Sequence, residues 1–299
     1  MRRGLFSGLW VGLLLGGAWL PGSPAAAQDV VAVLSYDSPA YREALAGFEE
    51  VYGHPVPTFT LSKGDIHVPK AAKVVVAFGG KAASYPYSAD TTLVYGLTPM
   101  FWVGPEQPAV RRVRITVATK VDALLPKLKE IQPGLKRLAV LVVTRSARND
   151  EYHRELIRLA RANGIEARIE SLSQADDLPD RLRSLAGKID AIWMPPDPLL
   201  VTPAAFAVAK EFARSNNTPL YAPVDSLVDK GATASFVSSF REIGRTAGRV
   251  AAQAEAGTLR NVEAVYPDRY ELTVNLTAAA QSGLTIPLEV VKKADRVIP

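Results

Sequence analysis

Residues 219–245 read Pro-Leu-Tyr-Ala-Pro-Val-Asp-Ser-Leu-Val-Asp-Lys-Gly-Ala-Thr-Ala-Ser-Phe-Val-Ser-Ser-Phe-Arg-Glu-Ile-Gly-Arg. They predict a strand at Leu220–Ala222, a second at Ala232–Val237, a turn carrying Ser238 and Ser239, and an Ala-rich helix over 241–256 closed by Gly257. Downstream come a strand ending Thr273-Val274-Asn275-Leu276 and the tail Ser282-Gly283-Leu284-Thr285-Ile286-Pro287. A strand, a Ser-bearing turn and a helix opening on small residues make an edge that faces a ligand rather than a catalytic one.

Upstream, short apolar runs alternate with longer segments of helical period, the pattern of βαβ units and a mainly parallel sheet. Strands are expected at Val30–Leu34, Val56–Leu61, Val74–Phe78, Thr92–Tyr95 and Val113–Val117. Helices follow at Pro39–Val51, with Asp37 or Ser38 as cap, and at Val121–Ile131, which stops at Gln132-Pro133-Gly134. The pattern then restarts: Ala139–Val143 echoes Ala32–Leu34, and Tyr152-His153-Arg154-Glu155-Leu156 echoes Tyr41-Arg42-Glu43-Ala44-Leu45. Further strands are expected at Ala167–Ile169 and Ala191–Met194, and helices near Leu178–Leu185 and Pro203–Ser215. Two sheets that each open with the same strand-loop-helix unit are the economical reading.

Residues 1–27 read as a cleavable signal peptide: Arg2 and Arg3, an apolar run from Leu5 to Leu20, then Ala25-Ala26-Ala27. The run is short for a membrane span and is broken by glycines. Without Arg2 and Arg3 the 35 basic residues fall to a balance near +3 against 30 acidic ones, scattered along the chain. That is too even for nucleic-acid binding. The chain has no cysteine, which excludes disulfides, thiolate chemistry and a lipid-modified N-terminal Cys. A periplasmic location is expected, and at this length one domain or two both remain open.

In open α/β sheets, ligands lie beyond the carboxyl ends of the strands. Those loops supply the candidate ligand-binding residues Tyr36, Gly79, Gly80, Lys81, Gly96, Arg145, Ser146, Asp197, Asp225, Ser226 and Ser238. Gly79-Gly80-Lys81 can offer free N–H groups to an anion, or form only a tight turn. Asp197, stiffened by Pro195, Pro196 and Pro198, suits an amine or a sugar hydroxyl, or caps the next helix; Asp225 carries the same two readings. Arg145 has the planar fork that grips a carboxylate, or is an ordinary exposed arginine. Tyr36 and Phe240 can stack on a flat ligand, whereas Trp193 within a strand reads first as core, and Tyr85 and Tyr87 as surface.

Catalysis finds no support. His54, His67 and His153 lack metal spacing, and no Gly-x-Ser-x-Gly nucleophile elbow occurs. Neither a metal nor a cofactor is expected.

From about Leu135 to Ile298 the chain resembles the substrate-binding components of ABC transporters, in the branch that includes receptors for aromatic amino acids. Gly79-Gly80-Lys81-Ala82 partly matches that family's Gly-Thr-x-Ala turn. The resemblance implies a two-lobed α/β type I periplasmic-binding-protein fold with three crossings, near Gln132–Leu135, Ser238–Phe240 and Val265–Arg269. Lobe 1 would be 28–133 plus 240–266, and lobe 2 would be 134–239 plus 267–299. It further implies a monomer that captures an amino acid or similar small polar solute and delivers it to ABC permease subunits. Two departures fall in the first lobe. The segment between 61 and 74, through Gly64-Asp65-Ile66, is short for a crossover helix, and Val113-Arg114-Ile115-Thr116 replaces an expected Asn-x-Thr-Gly. A sensory or accessory envelope protein on the same fold, or an enzyme on that scaffold, are the alternatives.

Overall fold

The computed structural model describes residues 29–63, 67–99, 111–143 and 147–299. The signal-peptide segment 1–27, the link Gly64-Asp65-Ile66 and the candidates Arg145 and Ser146 lie outside the described residues.

The first layer is built on β1 (Val30–Leu34), β2 (Thr58–Thr60), β3 (Val74–Phe78), β4 (Thr92–Gly96), β5 (Arg111–Ile115) and β11 (Ala264–Val265). They form one parallel sheet in the order β11-β5-β4-β3-β1-β2. β1 and β3 are buried at every position, which is why they read as unbroken apolar runs: both faces of the sheet are covered. One face carries α1 (Pro39–Tyr52) and α8 (Phe240–Glu255). The other carries Val68, Ala72 and the short α2 (Gly80–Ala83). Tyr85 and Tyr87, expected at the surface, pack against that second face, and the Tyr87 hydroxyl donates to the Ala82 carbonyl. Ser38 caps α1, accepting from the Tyr41 N–H at 3.3 Å, with Pro39 opening the helix.

The second layer holds β6 (Arg137–Val142), β7 (Glu166–Ser171), β8 (Ala191–Trp193), β9 (Leu220–Ala222), β10 (Ala234–Val237), β12 (Glu271–Asn275) and β13 (Arg296–Ile298). Their order is β13-β12-β10-β9-β8-β6-β7, parallel except where β12 runs against β10. Helices α3 (Val121–Ile131) and α4 (Ala147–Ala162) share one core with this sheet. On the other face lie α5 (Leu178–Leu185), α6 (Pro203–Ser215) and α7 (Asp225–Val228). The chain closes with α9 (Leu276–Gln281) and α10 (Leu288–Lys293). The fold class expected from the pattern, two mainly parallel sheets flanked by helices, is the one observed.

The first change of layer differs from expectation. The apolar stripe of α3, with Leu124, Leu125 and Leu128, packs with Leu138 and Val140 of the second sheet. Gln132 is also tied into that layer: its amide donates to the Asp190 carbonyl, and its Oε1 accepts from the Tyr221 hydroxyl at 2.8 Å. The chain therefore leaves the first layer within 116–120, ahead of α3, and not at Gln132–Leu135. The other changes of layer lie at Ser238–Ser239 and between β11 and β12. The connecting segments are strapped together. The Thr119 hydroxyl donates to the Phe236 carbonyl at 2.6 Å, Ser238 to the Arg269 carbonyl at 2.6 Å, and the Lys120 N–H to the Tyr270 hydroxyl at 3.1 Å.

Candidate ligand-binding site

The carboxyl ends of β1, β3 and β4 meet in one corner of the first layer. The Ser35 N–H donates to the Phe78 carbonyl, and the Gly79 N–H to the Gly96 carbonyl at 2.9 Å. Gly79 has φ +95°, and a side chain there would collide with the hydroxyls of Tyr41 and Ser35. The buried Ser35 hydroxyl accepts from the Ala82 N–H at 2.9 Å. One of the N–H groups expected to meet an anion at this turn, that of Gly79, thus already has a partner inside the protein, as does the neighbouring Ala82 N–H. Lys81 is exposed.

Tyr36 stands over this corner, 49% exposed, its ring 4.8 Å from that of Tyr41. Burial, then the hydrogen bond and field of the Tyr36 phenol, push the Tyr41 hydroxyl far above its usual value, with Ser35 pulling the other way. Tyr41 stays a neutral phenol, and Tyr36 presents the open face.

In the second layer Asp225 and Ser238 come together. They share a small cavity of about 110 Å³ with Glu271 and Thr273 of β12, and Glu43 of α1 closes it from the first layer. Phe240 also lines it, so one of the two aromatic candidates lies at the junction of the layers. Asp225 is the first residue of α7, with Val224 at the cap position, so it does not cap that helix. It lies 3.9 Å from Arg296, whose main partner is Asp229. Ser226 is exposed beside it.

Asp197 has another occupation. It is 4% exposed; its carboxylate accepts from the Leu199 N–H at 2.9 Å and also from backbone N–H groups of Leu200 and Val143. Burial raises its pKa and these donors pull it down, the net being a rise. The carboxylate organises its own loop and ties it to the end of β6. Trp193 is core, 4% exposed and within 6.4 Å of the Tyr152 ring.

The structure therefore joins Tyr36, Gly79, Gly80 and Gly96 at one corner, and Asp225 and Ser238 at a second place facing α1. Sequence reasoning missed Glu43 and Glu271 there. Each reads as an ordinary polar residue of a helix or strand, and only the approach of the two layers makes them neighbours. Among the described residues no group of His, Asp and Glu is placed to hold a metal.

Two mainly parallel sheets with repeated changes of chain between them make a two-lobed fold of the type I periplasmic-binding-protein class. The sequence model for "ABC transporter substrate binding protein" matches residues 115–298. The chain belongs to that family, one of substrate-binding proteins and not of enzymes. A curated "Tyrosine-binding protein" of Clostridioides difficile (strain R20291) is 24% identical over 156 residues, 52% of this chain and 45% of that protein. The match thus spans less than half of the relative's length. A Streptococcus pneumonia ABC domain solved in complex with L-Trp aligns at TM-score 0.64 and 17% identity, covering 91% of this chain and 100% of that one. The ligand-free, open form of a substrate-binding protein with adhesive properties from Clostridium difficile aligns at TM-score 0.67 and 17% identity, covering 90% and 98%. At such identities these likenesses show the fold.

Proposed function

We propose that this protein is the solute-capturing component of an ABC transporter, taking an amino acid or similar small polar molecule between its two layers. The observation that carries the reading is the meeting of both carboxyl edges: Glu43 of the first layer closes a cavity begun by Asp225 and Ser238 of the second, inside a chain of this family. The names borne by its relatives, tyrosine-binding and complexed with L-Trp, favour an aromatic amino acid. Tyr36 would supply the stacking face, and Asp225 a carboxylate for an ammonium group.

In this reading residues 1–27 direct export, the mature monomer works in the periplasm, and closure of the layers forms the surface that permease subunits recognise. Lobe 1 comprises 28 to about 118 plus 240–266, and lobe 2 the remainder, α3 included. Thermal melts over amino acids, sugars, nucleobases and small anions test it. A true ligand at a hundred times its dissociation constant adds about 2.7 kcal/mol of stability. Tyr36→Ala and Asp225→Ala should each reduce that gain. If neither changes affinity for the ligand found, the wall is wrongly assigned.

A sensory or accessory role is the second reading. The cavity at Asp225 is smaller than the roughly 300 Å³ at which small-molecule sites begin, and that observation favours it. Silence across the whole panel would establish it over transport.

A further inference from the structure

Three carboxylates line the cavity between the layers: Glu43 from α1, Asp225 from the start of α7 and Glu271 from β12. None of its described lining residues is basic. Arg296 sits beside Thr273 in the register of β13 on β12 and comes within 3.9 Å of Asp225, but Asp229 holds its guanidinium at 2.7 and 3.1 Å. Arg269, two positions before Glu271, is turned to Asp295 at 2.9 Å, and Arg42, beside Glu43, is turned to Asp37. Among the described residues the cavity therefore keeps an excess of negative charge.

Below the carboxylates lies an unused hydroxyl. At the mouth, Ser238 donates to the Arg269 carbonyl and Ser239 accepts from the Glu242 N–H, so both are engaged. Ser235 differs. It is 2% exposed, and its side-chain oxygen has no hydrogen-bond partner among the described residues. It stands two positions before Val237 on β10 and directly across from Thr273 of β12, and both of those line the cavity. Residues two apart on a strand, and residues opposite each other on neighbouring strands, leave the sheet on the same face. Ser235 thus forms the floor. A hydroxyl shut in without a partner costs free energy, and a donor arriving from the cavity removes that cost.

These features sort the possible guests. An anion meets three like charges, and a zwitterion brings its own carboxylate against them. No group of His, Asp and Glu among the described residues is placed to hold a metal ion, so an organic cation fits better. The space, about 110 Å³, is smaller than the roughly 150 Å³ that encloses a benzene ring, so what enters it is slim and aliphatic. Val237 and Phe240 offer apolar surface to methylene groups.

We propose that the solute selected here is a net cation, a short aliphatic chain with an ammonium group at each end, and that Ser235 is a specificity-determining residue at the bottom of its site. The inference rests on the solute-capture reading and narrows it, away from the aromatic amino acid that the relatives' names favour. One ammonium sits between Glu271 and the Ser235 hydroxyl. The other sits between Glu43 and Asp225 and joins the two layers.

Calorimetric titration of the full chain tests this, with butane-1,4-diamine as probe. On the same four-carbon frame, n-butylamine lacks one ammonium and 4-aminobutyrate replaces it by a carboxylate; L-tryptophan represents the rival class. The diamine should bind, and each analogue should be about tenfold weaker or worse, the loss of one charge-assisted hydrogen bond. Glu43→Gln and Glu271→Gln should each weaken the diamine to a similar extent. Ser235→Ala should also weaken it, while the ligand-free variant melts no lower than the parent; a merely structural serine would give the reverse. The proposal is overturned if the diamine fails to bind up to millimolar concentration, or if 4-aminobutyrate binds as tightly. It is overturned equally if both glutamine variants leave diamine affinity intact, or if Ser235→Ala lowers the melting temperature without changing affinity. Binding of L-tryptophan without binding of the diamine overturns this inference and leaves solute capture standing.

Discussion

Asp197 shows how a residue can look functional in sequence and turn out to be structural. Two prolines before it and one after it promise a rigid loop, which exists, but its carboxylate is consumed by the N–H groups of Leu199, Leu200 and Val143. Asp197→Ala should cost roughly 1–3 kcal/mol by leaving the Leu199 N–H without its acceptor; Asp197→Asn keeps one acceptor and should cost less. The two are separable by urea denaturation. Because burial raises this carboxyl in the folded state, its charge opposes folding at neutral pH, and that penalty fades as pH falls through the raised value. Wild-type stability should therefore gain on Asp197→Asn as pH is lowered. Gly79 is a second instance. The sequence showed a glycine where a turn had to be, but a cradle for an anion and a corner packed on Tyr41 look the same until the neighbours are known.

Among the elements, strands buried on both faces were legible, since continuous apolar runs such as Val74–Phe78 leave little alternative. Partners were not. α8 was read as an Ala-rich helix, and its crossing on α1 is so close that a side chain at Gly244 would collide with the Ala44 carbonyl. Gly244→Ala should cost about 1–3 kcal/mol or more through overpacking. Gly134→Ala, with open space around it and no positive φ, should be neutral or gain about 0.4–1 kcal/mol. Thermal melts of both variants check the contrast. β5 was expected at Val113–Val117 and forms at Arg111–Ile115, where its pairing with β4 begins at Arg111 and the Arg111 guanidinium reaches the Leu259 and Arg260 carbonyls. Those partners, about 150 residues away, leave no mark on the local pattern. Asp190, at the start of β8, shows a similar long reach. It accepts from the Lys136 and Arg137 N–H groups and from the Arg137 guanidinium at 2.6 Å. Burial pushes its carboxyl up, but these donors outweigh it and the net shift is downward. Its stabilisation is present above the ordinary carboxylate value, near pH 4, and is lost as pH falls through the lowered one. Asp190→Asn should flatten the acid limb of a stability profile measured between about pH 2 and 5.

For the whole molecule, the repeat of strand, loop and helix announced two layers, while the first point of passage between them was misplaced by about a dozen residues. Helix period alone does not say which sheet receives the stripe of α3. The site was legible as a set of loops and illegible as a set of neighbours, because Glu43 and Asp225 meet only through the approach of the layers. That approach can be measured. The natural chain has no cysteine, so Glu43→Cys with Asp225→Cys makes a single reporting pair. A short bis-maleimide should link the two, and faster when ligand draws the layers together; no linkage under any condition would mean that they do not meet across that cavity in solution.

The seating of α8 on α1 sets an order of assembly. β1 and α1 are made early, but the surface that shelters Ala44 and Phe48 includes residues near position 250. A growing chain must therefore hold this greasy hairpin half-dressed while nearly the whole second layer is synthesised. Such a polypeptide is exposed to aggregation for most of its birth and gains from being kept unfolded until its far end arrives.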